Sequence, residues 1–224
     1  MKITGFAPHF TNTEDIVKKY CAKNFRKPFS VEMVYLPFVL FKYAVEAVRF
    51  FGDKKIWGGL FLADLIQGIP VNIRKGTILE AGAGLERDFT ALLPALTEGA
   101  KKTADTIVIE AQEVSDAQIL PVVLAEGEAI SRGKRLLRYD LMRVSGGLRY
   151  RRMEITLYPE TKLVYYPYWL VYYRGRRGEM KFAVMDAVNG RKEGGEIVQS
   201  ISVGIVKKKQ ASEPLEFSEG ANPN

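Results

Sequence analysis

The sequence predicts an α+β chain of two related halves, each a helix followed by antiparallel strands, and three observations carry that reading. MVYLPFVLFKY at 33–43 and LVYYPYWLVYY at 163–173 share a proline in fifth place, an aromatic directly after it and a tyrosine six residues past it. FLADLIQG at 61–68 and AVMDAVNG at 183–190 both close as Asp-x-x-x-Gly, and the second copy is eight residues shorter between proline and aspartate. A helical stretch stands before each copy, and a proline, Pro8 or Pro121, stands before each helix. Internal duplication explains all three.

The first helix opens with Thr11-Asn12-Thr13-Glu14-Asp15, whose side chains suit an N-cap and an acidic first turn. Ile16, Val17, Tyr20 and Cys21 mark one face, so Cys21 is expected to be a small buried hydrophobe. Strand 33–43 follows, and Gly52-Asp53-Lys54-Lys55 and Gly58-Gly59 act as turns. Residues 69–120 are less regular, with a helix expected over 87–96 and a strand over 106–111. The second helix spans 126–143, its one side carrying Ala129, Ile130, Gly133, Leu136, Leu137, Asp140 and Leu141. Gly146-Gly147 breaks it, and 148–158 forms an added strand that Pro159-Glu160-Thr161 turns into the aromatic strand. After a turn at 174–178 and a return strand at 179–186, Asn189-Gly190 predicts a further strand over 195–203. The domain reading is a first repeat at 1–76, a connecting segment at 77–120, a second repeat at 121–206 and a polar tail at 207–224.

Composition excludes several functions. With one cysteine, Cys21, and one histidine, His9, no disulfide can form within the chain and a zinc site of several N/S ligands is ruled out. A histidine-activated nucleophile would have to use His9, which no nucleophile motif accompanies. No cofactor and no metal is expected. No run reaches the roughly 18 apolar residues of a membrane span, and the N-terminus lacks the apolar core of a secretory signal, so a cytoplasmic chain without a membrane span is expected.

The C-terminal third also resembles PepSY-like domains, in which a helix packs on an antiparallel sheet. The matching residues are the FAVMDAVNG run at 182–190 and the Tyr165-x-Pro167-x-Trp169 strand before it. The resemblance implies fold alone, since that family has no catalytic residues to carry over. It also implies a place outside the cytoplasm, against the missing signal.

Three functional readings remain open on the sequence. The first is a binding or assembly module, with Tyr166, Tyr168, Trp169 and Tyr172 of the aromatic strand contacting a protein partner or a second copy. The second is binding of nucleic acid or another polyanion. Net charge is +7, and Arg132, Lys134, Arg135, Arg138, Arg143, Arg149, Arg151 and Arg152 face only Asp140 across that stretch. Arg132, Arg135 and Arg138 recur at helical spacing, and Arg149, Arg151, Arg174, Arg176 and Arg177 extend the patch. The third is a methyltransferase using S-adenosylmethionine. The Gly82-Ala83-Gly84 turn after an apolar strand resembles that family's first motif, with Glu110 standing for the ribose-binding acid. Asp64 and Asp186 could pair for acid–base work or a cation, although an aspartate before a turn more often accepts backbone hydrogen bonds.

Overall fold

The computed structural model describes residues 1–21, 28–49, 52, 54–72, 78–80, 107–144 and 150–212. Its strands are β1 (Lys2–Phe6), β2 (Pro28–Arg49), β3 (Lys54–Asp64), β4 (Pro70–Asn72), β5 (Ile78–Glu80), β6 (Ile107–Glu113), β7 (Tyr150–Arg174) and β8 (Met180–Asp186). The helices are α1 (Thr13–Cys21), α2 (Glu126–Val144) and α3 (Gly195–Ser212). All eight strands join one mixed sheet in the order β4-β3-β2-β7-β1-β6-β5, with β8 pairing β7 beside that path. The α+β class holds.

Two long strands form the spine. β2 and β7 run antiparallel over nearly their whole lengths, with Tyr35 opposite Pro167, Leu36 opposite Tyr166 and Pro37 opposite Tyr165. A proline within a central strand would ordinarily forfeit a ladder bond. Here each proline falls where its strand changes partner on the other side. Tyr35 accepts from Leu120 N at 3.0 Å, and two residues on Pro37 accepts from Leu65 N at 2.9 Å. Tyr165 is bridged by Gly5 of β1, and Pro167 accepts from Ala187 N at 3.2 Å. The missing N–H points into the gap between two neighbours, so it costs no pairing.

The spine buries both faces. On one, Val34, Leu36, Phe38 and Leu40 of β2 meet Val164, Tyr166, Tyr168 and Leu170 of β7 beneath Ile197 and Ile201 of α3. The other face carries three clusters, one of them Ile3, Tyr35 and Tyr165 at its centre. Val39, Phe41, Phe61, Ala63 and Leu65 pack under Ala129 of α2, while Trp169, Val171, Ala183, Met185 and Ala187 pack under Ile16 and Tyr20 of α1. The fully buried partners of α1 thus come from the second half, with Val31 and Met33 of β2 packed at the cluster edge, while α2 sits mainly on first-half residues together with Ile155 of β7. Burial of such side chains contributes roughly 1.5–3 kcal/mol apiece, so tertiary packing dominates the stability of nine-residue α1.

Several expected elements fall differently. β7 runs unbroken through Pro159-Glu160-Thr161, because a register shift lets 158–160 lie opposite Lys42. Gly58 and Gly59 lie inside β3, opposite Ala44 and Tyr43, and the β2–β3 turn comes earlier, with Gly52 at φ 92°. The strand expected over 195–203 is the start of α3. Its valines and isoleucines suggest a strand, but Ile197, Ser200, Ile201 and Gly204 are buried at helical spacing. The helix also takes in 207–212, read from the sequence as tail. Cys21 is exposed, since Ile16 and Tyr20 alone turn fully inward from α1. Leu136, expected on the apolar side of α2, is exposed. The strand expected over 106–111 is β6, and the helix expected over 87–96 lies outside the described residues.

Candidate functional site

The sheet ends in a positively charged, aromatic corner where β2 begins, β7 finishes and β8 starts. Tyr172 of β7 lies opposite Ser30 on one side and Phe182 of β8 on the other. A register irregularity between Pro28 and Ser30 brings the Phe29 ring to 6.4 Å from that of Tyr172, and the Phe182 ring lies 5.9 Å away on the far side. The result is a row of three rings across three strands, with Phe29 at its edge, 56% exposed. Strand alternation places Arg174 and its partner Met180, 71% exposed, on the same face one step further out.

The turn beyond is built to hold arginines outward. Gly175 N donates to Glu179 O at 2.8 Å, Gly178 N donates to Gly175 O at 3.2 Å, and Gly178 adopts φ 82°. A Cβ at Gly175 would collide with the Glu179 carboxyl group. That carboxylate is already engaged, with Oε2 accepting from Arg177 N at 2.9 Å and Oε1 pairing Lys181 Nζ at 2.8 Å. The Lys181 partnership holds its pKa below the usual carboxylate range. Arg174, Arg176 and Arg177 are exposed and have no carboxylate partner among the described residues. Tyr172 OH donates to Glu32, and burial, reinforced by Glu32, pushes its pKa up. Glu32 also walls a neighbouring groove of about 540 Å³.

The other arginines lie elsewhere. Arg132 pairs with Glu128 at 2.5 Å and donates to Gln67 O at 3.2 Å, tying α2 to the turn after β3. Arg135 and Arg138 are exposed on the outer side of α2 beside Lys134 and Tyr139, over β3 and β4. Arg151 and Arg152 stand at the opposite end of β7 from Arg174, separated by about 75 Å of strand, and Arg152 is held by Glu154. Arg149 lies outside the described residues. Arg174 thus lies far along β7 from Arg151 and Arg152, and the turn trio stands beside a row of packed rings.

Of the four aromatics proposed as a contact surface, Tyr166, Tyr168 and Trp169 lie inside the chain and Tyr172 alone is part-exposed. Trp169 Nε1 donates to Phe10 O at 2.7 Å, which anchors the segment before α1. Tyr166 OH donates to Asp186 Oδ2 at 2.9 Å. Both aspartates close turns. Asp64 Oδ1 accepts from Ile66 N and Gln67 N, and Oδ2 from Ile69 N and Ser200 Oγ. Asp186 Oδ1 accepts from Val188 N and Asn189 N, while Oδ2 also takes the Asn189 amide. Gly68 and Gly190 finish these turns at φ 74° and 66°. With their oxygens filled by backbone donors, the aspartates hold the fold. Among the described residues no group of three His, Cys, Asp or Glu side chains could hold a metal, and no helix is long and apolar enough to cross a membrane.

β5 and β6 are parallel neighbours, as a cofactor-binding strand pair would be, but Gly82-Ala83-Gly84 lie outside the described residues. Phe29 and Phe182 were not picked out as site residues from the sequence. Only strand register puts them beside Tyr172, and the nearest sequence signal is Pro28, which marks the strand start before an apolar ring. No known protein family, no curated protein and no solved structure matches the chain.

Proposed function

We propose that the chain binds single-stranded nucleic acid at this corner, with Phe29 and Tyr172 stacking on bases and Arg174, Arg176 and Arg177 neutralising phosphates. The observation that carries the reading is the ring row lying next to three exposed arginines that have no carboxylate partner among the described residues. Rings supply affinity without choosing a base, and exposed guanidinium groups supply the salt-dependent part. The test is fluorescence anisotropy of a labelled oligothymidine over a range of salt. Arg174→Glu/Arg176→Glu/Arg177→Glu should flatten the salt dependence by a slope of about 2 for three lost phosphate contacts. Phe29→Ala should weaken binding by about 1–3 kcal/mol at any salt. Binding that Arg135→Glu/Arg138→Glu removes instead would move the site to α2. Equal affinity for heparin with Phe29→Ala silent would leave polyanion binding without stacking.

An assembly reading retains one observation, the exposed Phe29 and Met180 at the same corner. It requires association in sedimentation velocity that Met180→Lys abolishes.

We further infer that the halves descend from one duplicated unit in a chain working in the cytoplasm. Residues 33–41 match those 130 positions on, and the aspartate turns and helix-covered clusters correspond one to one. The ring row belongs to the second copy alone, because Lys42 and Leu60 stand where Tyr172 and Phe182 would be.

A further inference from the structure

The groove beside the ring row lies between the C-terminal half of α3, the start of β2 and the segment around the 3-10 turn at Asp116–Gln118. Val34, Leu120 and Ile205 give it an apolar floor, with Lys208, Lys209 and Ser212 along one rim. Lys208 is fixed in place, its Nζ donating to the carbonyls of Asp116, Ala117 and Ile119 at 2.5, 2.9 and 2.6 Å. Its charge is thereby held at the groove edge. Lys209 is exposed. The one carboxylate of the lining, Glu32, is engaged by Tyr172 OH.

The chain leaves α3 at this rim. Ser212 lines the groove and is the last residue of the helix, and Pro214 follows two positions later. A proline has no N–H to donate to a continuing helix and disfavours helical backbone in the residue before it. The segment that follows, EPLEFSEGANPN at 213–224, carries Glu213, Glu216 and Glu219 with no lysine or arginine. Leu215 and Phe217 are its only large apolar side chains.

We propose that residues 213–224 occupy the groove of their own chain, with Leu215 and Phe217 on the Val34–Leu120–Ile205 floor and the glutamates beside Lys208 and Lys209. Charge matches charge along the rim, and apolar side chains match the floor. The reach suffices, since the five residues from Ser212 to Phe217 span up to about 17 Å. Tethering supplies an effective concentration on the order of millimolar, so a modest contact fills the site. The proposal stands whether or not the corner binds nucleic acid.

Hydrogen-exchange mass spectrometry on the full chain tests it, with the free 213–224 peptide as reference. Amides of 215–219 are expected to exchange at least tenfold more slowly in the chain than in the peptide. Leu215→Ser/Phe217→Ser should restore the peptide rate, and Lys209→Glu should speed exchange at least threefold, with protection of the sheet unchanged in both. Exchange at the peptide rate in the unaltered chain overturns the proposal, as does protection that outlives either change.

Discussion

Leu36 of β2 and Tyr166 of β7 face each other across the centre of the sheet, and the pairs around them exchange places under a half-turn. Tyr35 pairs with Pro167 and Pro37 with Tyr165, so each proline opposes the tyrosine two residues before the other. The core on one face follows the same relation, with Phe38 answered by Tyr168 and Leu40 by Leu170 under a single α3. Among the described residues α3 has no counterpart after β3, and its Ser200 donates to Asp64. The arrangement is two-fold in the sheet and one-sided in the helix above it.

Asp64 and Asp186 should prove equally indispensable. Replacing either by alanine strands two or more buried or part-buried backbone N–H groups, at about 3 kcal/mol for each variant. Ser200→Ala, which removes one contact to Asp64, should cost about 1 kcal/mol. Urea denaturation of the three variants checks the ranking.

Glu193 should make the fold less stable as pH rises. Burial, with Asp186 nearby, pushes its pKa up to about 6 from an ordinary 4.5. The folded chain then holds a proton that the unfolded chain has released, so stability falls between about pH 4.5 and 6. Burial also raises the Asp186 pKa, which acts with the same sign. Glu193→Gln should remove about 1 kcal/mol of this fall, a value reduced for the partial exposure of the group. Melting curves across that range should show a shallower slope in the variant.

Trp169→Phe should loosen α1 before anything else. It deletes the indole donor to Phe10 O and part of the volume under Ile16 and Tyr20, about 2 kcal/mol together. Faster amide exchange across 13–21, with the β2–β7 ladder still protected, is the expected result.

Gly133→Val should lift α2 from β3. A Cβ at Gly133 would lie 3.0 Å from the Phe61 ring and 3.1 Å from the Ala63 Cβ, and two more methyl groups cannot be housed. Overpacking of this kind costs about 1–3 kcal/mol, and thermal unfolding measures it.

The sequence disclosed the parts governed by local rules. The Thr11–Asp15 run signals α1, the proline-centred apolar runs signal β2 and β7, and Asp-x-x-x-Gly signals both turns, because each acts within a few residues. The failures are where distant packing overrules local chemistry. Val198, Val203 and Ile205 favour a strand by composition, yet that segment is helical because a broad apolar face lay open between the halves. Pro159 looks like a turn and is absorbed by a bulge. The site followed the same division. The arginines of the turn were visible in RGRRG, whereas their company with Phe29 depends on the pairing of two segments more than 140 residues apart.

The crossed placement of the helices constrains how the molecule can be made. When α1 leaves the ribosome, Trp169, Val171, Ala183 and Met185 have yet to be synthesised, so the buried partners of its apolar face arrive only with most of the remaining chain. At about 5–20 residues per second that wait lasts roughly 10–30 s. α2 emerges with its partners Phe41 and Phe61 already waiting, unable to close the sheet until β7 arrives. The α1 cluster is complete only once β8, the last strand it needs, has been made, and chaperone dependence should track the appearance of that strand.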